Sequence, residues 1–117
     1  MTAIHIVERM TEAVVRGDFD TALTFIAPDA VDHSPLPGAP PGHAGWRRKW
    51  ERLVVGSPVR TTVAQRVAAG DTVATRYAVH DVDTGQPLGF GLDMLRVVDG
   101  RIVEHWGLPL PGPAAER

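Results

Sequence analysis

The spacing of the apolar residues changes once along the chain, close to residue 59. Before that point apolar side chains recur every three or four residues, the period of an α-helix, and after it they alternate, as in a β-strand. Helices followed by strands indicate an α+β domain in which the helices cover one face of a sheet. The length of 117 residues suffices for one core, so residues 1–117 are assigned to a single domain.

Three helices are predicted in the first half of the chain. The first lies between Thr2, which can cap its start, and Gly17, which suits the left-handed conformation that often follows a helix. The second is short, begins after Asp18 and ends before Pro28. The third spans His43–Val55, after a segment that can begin with a short strand and continues as a proline-rich loop.

Four antiparallel strands are predicted in the second half of the chain. Gly89 and Gly91, inside the third strand of this meander, favour a bulge or a bend that curves the sheet into a cone. Residues 107–117 are rich in proline and are predicted to form an extended tail. The predicted strands cover residues 59–67, 73–80, 88–98 and 101–106.

The composition argues against several classes of protein. The chain has no cysteine, which excludes disulfide scaffolds and thiolate metal sites, and its net charge of −2 argues against a nucleic-acid module. The five histidines are scattered and no phosphate-binding loop is present, so no metal or organic cofactor is predicted. No apolar run reaches the roughly 18 residues of a membrane span and no leader peptide is visible, so the expected location is the cytoplasm.

Arginine dominates the basic residues of the chain. Of the 12 basic residues, 11 are Arg and one is Lys, at position 49. Together with the many Ala, Gly and Pro residues, this bias is more typical of a GC-rich genome than of a binding surface. Lys49 falls on the polar face predicted for the third helix.

The last predicted hairpin decides which side chains share a face of the sheet. A two-residue turn at Asp99-Gly100 pairs Asp93 with Trp106 and places Glu104 on the same face. This face is expected to meet the helices because it carries the bulkier apolar residues. The alternate residues, among them His105, are expected on the opposite face, away from Asp93, unless a bulge changes the register.

Two residues are candidates for catalysis. Asp93 is a carboxylate on a largely apolar wall, where it can act as a general acid or base; the alternative is an Asp held by Arg or by backbone N–H groups. His33 lies just before the proline-rich loop, where a neutral imidazole at the edge of a pocket can donate or accept a proton. The alternative for His33 is a loop histidine bonded to the backbone.

Four aromatic residues are candidates for the pocket wall. A tryptophan needs a partner for its N–H when it is buried, and a wall that contacts a flat ligand provides large aromatic surface. The alternative is that these residues simply fill the core. The candidates are Trp46, Trp50, Tyr77 and Trp106.

A resemblance to a known family is carried by three stretches, DAVDHSPLPG, AAGDTVATRY and DMLRVVDGRIVEHWG, of which the last is the most specific. They resemble the SnoaL-like polyketide cyclases, within the superfamily of ketosteroid isomerase and nuclear transport factor 2. The resemblance implies a cone-shaped barrel, in which a curved and mostly antiparallel sheet packs against about three N-terminal helices around a pocket. It also implies a homodimer formed through the outer face of the sheet.

The resemblance implies roles for two residues and shows two departures. Cyclases of this family use an Asp in the penultimate long strand as the acid–base group of an aldol ring closure, and Asp93 matches that position. His33 matches a polar position at the pocket edge. Asp83 stands where many members have His, and Ser34 stands at the position of the isomerase catalytic Asp, so steroid isomerisation is not implied.

The resulting hypothesis is a small enzyme without a cofactor that performs cyclase- or isomerase-type chemistry on a hydrophobic, carbonyl-bearing or polycyclic metabolite. Asp93 would move the proton, His33 would orient the oxygen, and the four aromatic residues would line the pocket. Two alternatives stay open. One is a non-catalytic dimeric module of the same fold that binds a ligand or a protein, and the other is an epoxide hydrolase or dehydratase of the superfamily.

Overall fold

The computed structural model describes residues 1–110 and confirms the α+β class. Three helices precede a meander of four strands, and a fifth strand lies between the second and third helices. The helices are α1 (Ala3–Val15), α2 (Phe19–Leu23) and α3 (His43–Val54), and the strands are β1 (Ile26–Asp32), β2 (Val59–Ala69), β3 (Thr72–Asp81), β4 (Pro87–Val98) and β5 (Arg101–Leu110).

The helix starts follow the predicted caps, whereas the end of α2 does not. The Thr2 hydroxyl accepts a hydrogen bond from the N–H of His5, and the Asp18 carboxylate accepts one from Thr21. The prediction that the second helix continues to Pro28 was wrong, because the buried Ile26 pairs with β5 and starts β1. In residues 1–110, no helix has the length and apolar character needed to cross a membrane.

The sheet has the strand order β1-β5-β4-β3-β2 and is curved without closing into a barrel. Strands β2 to β5 form the predicted antiparallel meander, and β1 adds to its free side parallel to β5. A parallel pair needs a long connection between its strands, and here α3 and strands β2 to β4 separate β1 from β5 along the chain. The end of β1 therefore lies beside the second half of the last hairpin.

The core lies between the helices and one face of the sheet, which we call the inner face. Val73, Leu95 and Ile102 project from this face and are fully buried. They belong to the same apolar cluster as the buried stripe of α1 and the two tryptophans of α3. We call the opposite surface of the sheet, which faces away from the helices, the outer face.

Strand β5 is longer than the sequence indicated. It continues to Leu110, so the first four residues of the predicted tail, 107–110, pair with β4. The rest of that predicted tail, residues 111–117, lies outside the described residues. The extra pairs matter because they place Gly107 directly beside Asp93.

Replacement of Leu95 by Ala should lower the free energy of unfolding by about 2–5 kcal/mol, because the side chain is fully enclosed and its loss leaves a cavity. The matched control is Leu53→Ala on α3, where the side chain is 44% exposed and the expected loss is below about 1 kcal/mol. Urea unfolding followed by circular dichroism measures both. Equal losses at the two positions would contradict the assignment of the inner face.

Candidate acid–base site at the β5 bulge

The register of the β4–β5 hairpin changes at one residue, Val103. Val97 pairs with Ile102, but the next pair is Arg96 with Glu104, so Val103 has no partner in β4. This is a β-bulge, in which one extra residue of one strand breaks the ladder. Because side chains alternate along a strand, the bulge exchanges the two faces for every later residue of β5.

The bulge overturns the predicted pairing of the site residues. Asp93 pairs with Gly107 and not with Trp106. His105 therefore shares the inner face with Asp93, whereas Glu104 and Trp106 lie on the outer face. The predicted placement of these three β5 residues was wrong because it counted the alternation of the strand without an extra residue.

Asp93 contacts two polar side chains through one of its oxygens. Its Oδ2 lies 3.4 Å from His105 Nε2 and accepts a 3.1 Å hydrogen bond from the Tyr77 hydroxyl. The side chains of Asp93 and His105 are 14% and 11% exposed. The other oxygen, Asp93 Oδ1, is buried and has no hydrogen-bond donor among residues 1–110. Since an unpaired buried acceptor costs about 1–3 kcal/mol, this atom needs an explanation.

The imidazole of His105 is held on its other side by Asp32. Asp32 Oδ1 lies 2.9 Å from His105 Nδ1, and Asp32 Oδ2 accepts a 2.5 Å hydrogen bond from Lys49 Nζ. Lys49 also donates to the carbonyl of Ser34 at 2.7 Å, and the N–H of Ser34 donates to Asp32 at 2.9 Å. A row of charged groups therefore runs from Lys49 through Asp32 and His105 to Asp93, and we call it the charged row.

The charged row favours the protonated form of His105. Burial of the ring opposes that form, but the hydrogen bonds and negative charges of Asp32 and Asp93 outweigh burial and raise the pKa of His105. Burial also disfavours ionised Asp32, yet hydrogen bonds from His105, Lys49 and the Ser34 N–H bring the pKa of Asp32 far below its usual range. His105 is thus an imidazolium between two carboxylates over a wider pH range than a free histidine.

Tyr77 acts as a hydrogen-bond donor in the site. Burial, followed by the negative charge of Asp93, raises the pKa of the Tyr77 hydroxyl, so the phenol keeps its proton. The positive charge of Arg66 opposes part of this shift. Arg66 itself donates to the hydroxyls of Thr75 at 2.9 Å and Thr11 at 3.1 Å, which ties β2 and β3 to α1.

Among the predicted site residues, the structure brings Asp93 and Tyr77 together. Trp46 is buried with its ring against the edge of the His105 imidazole, at 5.4 Å between centroids. Trp50 is also buried and packs against Trp46 at 6.0 Å, the arrangement expected of a residue that fills the core. Of the two tryptophans of α3, Trp46 is therefore the one that contacts the charged row.

The structure does not bring His33 or Trp106 to Asp93. His33 follows Asp32, which points inward, so His33 itself points to the outer face. There its ring stacks on that of Trp106, with the ring centroids 5.1 Å apart. Its Nε2 lies 2.8 Å from Glu104, which also accepts a 2.8 Å hydrogen bond from Arg96. Glu104, expected on the face of Asp93, instead forms these contacts on the outer face.

Sequence reasoning missed His105, Asp32 and Lys49. A prediction that allowed for a bulge in the hairpin would have placed His105 on the same face as Asp93. Lys49 is the one lysine among 12 basic residues, which is a signal that a compact ammonium group is needed there. Asp32 carries no such signal, because nothing in the local sequence separates it from the other acidic residues of its segment.

A cavity of about 610 Å³ lies between β1, the proline-rich loop and the start of α3. Asp32 and Trp46 line this cavity and also contact His105. The remaining wall is largely apolar and includes Pro28, Ala30, Pro35, Pro40 and Pro41. Apolar walls with a few polar groups are typical of sites for small molecules.

The charged row is a chain of ion pairs. Each inner member contacts a group of opposite charge on both sides: Asp32 contacts Lys49 and His105, and His105 contacts Asp32 and Asp93. Within residues 1–110, no group of three His, Asp or Glu side chains is arranged to hold a metal ion.

The raised pKa of His105 makes the stability of the protein depend on pH. The folded protein holds this proton more tightly, so the contribution of His105 is complete below the unfolded pKa of about 6.5 and is lost as the pH rises through the folded pKa. The free energy of unfolding should therefore fall above about pH 6.5. His105→Gln should remove this part of the slope in a series of urea titrations.

The matched control for this series is His5→Gln on the exposed face of α1. This variant should keep the wild-type slope, because His5 is exposed and lies far along the chain from the site. A His105→Gln variant with the wild-type slope would contradict the assignment of a raised pKa to the His105 ring.

Comparison with known proteins places the chain in a family. The family model of the SnoaL-like domain matches residues 7–105. Wild-type IdmH, a candidate polyketide cyclase from Streptomyces antibioticus, is 34% identical with a TM-score of 0.71, over 92% of this chain and 91% of that chain. A candidate polyketide cyclase from Xanthomonas campestris pv. campestris is 26% identical with a TM-score of 0.69, over 92% and 90%.

A third similar structure carries a different activity in its name. AclR, a candidate hydroxylase from Streptomyces galilaeus, is 25% identical with a TM-score of 0.68, over 91% of this chain and 77% of that chain. No curated protein matches the chain. Because the family model covers most of the sequence, from the first helix to the His105 that faces Asp93, the chain belongs to the SnoaL-like family.

Proposed function

We propose that the protein is an enzyme without a cofactor, in which Asp93 acts as a general base on a hydrophobic, carbonyl-bearing or polycyclic metabolite. The observation that carries this proposal is the unequal use of the two Asp93 oxygens. Oδ2 meets His105 and Tyr77, whereas Oδ1 is buried without a donor among residues 1–110. A substrate that presents a proton to Oδ1 would supply the missing partner.

The surroundings of Asp93 suit a proton transfer. The Tyr77 hydroxyl donates to Oδ2 and His105 Nε2 lies 3.4 Å from the same oxygen, so the polar contacts of the carboxylate fall on Oδ2 and the lone pairs of Oδ1 are left for the substrate. Asp93 takes the proton from the carbon next to a carbonyl and returns it to another atom of the substrate. Such a reaction moves a proton without any change of oxidation state.

The charged row supports this step through its balance of charge. Before the transfer, the positive charges of Lys49 and His105 balance the negative charges of Asp32 and Asp93. When Asp93 accepts a proton, the row gains one net positive charge while the substrate gains one negative charge. A preorganised positive environment of this kind stabilises an oxyanion as it forms.

The cavity wall and the similar structures support the proposed class of substrate. Trp46 and the prolines of the neighbouring cavity offer apolar surface beside Asp32. Two of the similar structures are candidate polyketide cyclases, and this likeness supports a carbonyl-bearing substrate for this chain. Epoxide hydrolysis and dehydration would use the same carboxylate and are distinguished by the products formed.

A non-catalytic binding module of the same fold is the other candidate. In such a module an Arg or backbone N–H groups would hold Asp93. The described partners of the Asp93 carboxylate are instead a histidine of raised pKa and a tyrosine. Such partners are typical of groups that exchange protons, so the enzyme is favoured.

We also propose that two copies associate through the outer face of the sheet. Apolar side chains on this face range from 37% exposed for Trp106 to 58% for Leu108, and a contiguous apolar surface is typical of an interface. Val103, the extra residue of the bulge, packs against the core and does not add to this surface. The exposed set comprises Val67, Phe90, Leu92, Met94, Trp106 and Leu108.

If two copies associate through the outer face, a charge placed at its centre should weaken the dimer. Met94→Asp should shift the protein from dimer to monomer in sedimentation velocity at micromolar concentration, because the interface would bury two like charges. The control is Val55→Asp at the end of α3, where the side chain is 67% exposed and lies off the sheet. A wild-type protein that sediments as a monomer would contradict the association.

The proposed base is tested by the exchange of hydrogen for deuterium next to the carbonyl of 2-tetralone, a bicyclic ketone, followed by NMR in D₂O. The wild-type protein should accelerate exchange over buffer, and Asp93→Asn should lose at least about 100-fold of the acceleration. The control is Asp99→Asn in the β4–β5 turn, where φ is 51° and Asn is well tolerated.

The outcomes of this experiment separate the candidate functions. A folded Asp93→Asn variant with the wild-type exchange rate would remove Asp93 from the chemistry. Binding of 2-tetralone by the wild-type protein, without accelerated exchange, would favour the binding module.

A further inference from the structure

The geometry points to Gly107 as a positioning residue that keeps the His105 ring on Asp93, an inference that rests on the proposed role of Asp93. In the β4–β5 ladder, Asp93 pairs with Gly107, and His105 pairs with Leu95. His105 and Asp93 are therefore diagonal neighbours, whose Cα atoms in a sheet are about 7–8 Å apart. The imidazole must extend over Gly107 to reach the carboxylate.

Gly107 provides the space that the ring occupies. A Cβ atom at this position would lie 2.9 Å from Cε1 and 3.4 Å from Nε2 of His105. Carbon atoms pack at about 3.5–4.0 Å, so the two groups would overlap. The ring yields more easily than the backbone, because it stands at the end of a rotatable side chain. Since Nε2 is already 3.4 Å from Asp93, a displaced ring leaves the carboxylate while the fold is kept.

The conformation of the backbone does not require glycine at this position. The φ angle of Gly107 lies outside the left-handed region that favours glycine, unlike that of Gly100 in the turn of the same hairpin, where φ is 78°. The missing side chain therefore matters for space at the His105 ring and not for the path of β5.

Ser34 holds the Gly107 backbone in place beneath the ring. Its hydroxyl donates to the Gly107 carbonyl at 2.8 Å and accepts from the Gly107 N–H at 2.8 Å. Ser34 is also tied to the charged row through its own backbone, which bonds to Asp32 and Lys49. The same segment thus fixes the support of the His105 ring and the carboxylate that orients it.

The inference is tested by measuring how strongly Asp93 acts on His105 with and without the added methyl group. NMR titration gives the pKa of His105 in the wild-type protein, in Asp93→Asn, in Gly107→Ala and in the double variant. In the wild-type background, Asp93→Asn should lower the pKa of His105 because a favourable negative charge is removed. In the Gly107→Ala background, this decrease should shrink to less than roughly half.

A control on the neighbouring strand separates this effect from a general disturbance of the sheet. Gly91→Ala adds the same methyl group to β4, where the nearest atom is the Leu108 carbonyl oxygen at 3.9 Å. It should leave the full effect of Asp93→Asn on His105. If Gly107 had only a structural role, Gly107→Ala would lower stability without changing the effect of Asp93 on the pKa of His105. A folded Gly107→Ala variant in which this effect is complete would therefore overturn the inference.

Two further outcomes keep the test decisive. If circular dichroism shows that Gly107→Ala does not fold, Ser34→Ala replaces it; the loosened backbone should again reduce the coupling, and undiminished coupling would overturn the inference. If Asp93→Asn does not change the pKa of His105 in the wild-type background, the ring is not coupled to Asp93, and both the inference about Gly107 and the pairing behind the proposed function are overturned. If the wild-type protein shows no exchange activity but Gly107→Ala reduces the coupling as expected, the proposed function fails and the role of Gly107 is supported.

Discussion

The site depends on one extra residue, Val103, in strand β5. In a regular hairpin the turn assigns every later side chain to a face, because the side chains alternate without exception. The inserted residue exchanges His105 and Trp106 between the two faces. The interior gains an ionisable ring at the place where Asp93 can meet it, and the outside gains an indole that extends an apolar surface. A single bulge therefore creates both the His105–Asp93 contact and the exposed position of Trp106, on which the proposed base and the proposed association depend.

Buried ionisable groups are tolerated here because their signs alternate. A lone charge in a protein interior is costly, and removal of one member of a buried pair leaves the other uncompensated. Asp32 has a cation on each side, and His105 has a carboxylate on each side. Among residues 1–110, Asp93 at the end of the row contacts one charged group, His105, and one neutral phenol, that of Tyr77. The charge is least compensated at this end, where the proposed chemistry takes place.

The fold could be predicted from the sequence because periodicity and turn residues act over short distances. The strands and the Asp99-Gly100 turn were predicted within a few residues of their observed bounds, whereas Ile26 fitted both a helix and a strand and was decided by pairing with β5. Asp93 stood out as a carboxylate in an apolar strand. His105 did not, because no glycine or proline marks the bulge at Val103.

The rest of the site could not be predicted because long-range contacts assemble it. Asp32 reaches His105 because β1 joins the sheet parallel to β5, and the Lys49 ammonium group reaches Asp32 from α3, 17 residues further along the chain. His33 follows Asp32 in the chain, and adjacent residues of an extended segment face opposite sides of the sheet. Because Asp32 points to the inner face, His33 points to the outer face. Local patterns do not show which strand becomes the neighbour of another.

Lys49 has a consequence for the way in which this sequence can change over generations. Its ammonium group lies within hydrogen-bond distance of Asp32 and of the Ser34 carbonyl at once, in a space suited to a compact, rotatable donor. A planar guanidinium is wider and presents its donors in a fixed fork, so Arg does not reproduce these two contacts. Each lysine codon differs by a single base from one arginine codon, and the chain has arginine at 11 of its 12 basic positions. At position 49 geometry opposes that mutational drift, and a lysine in an arginine-rich sequence becomes a visible trace of a buried carboxylate.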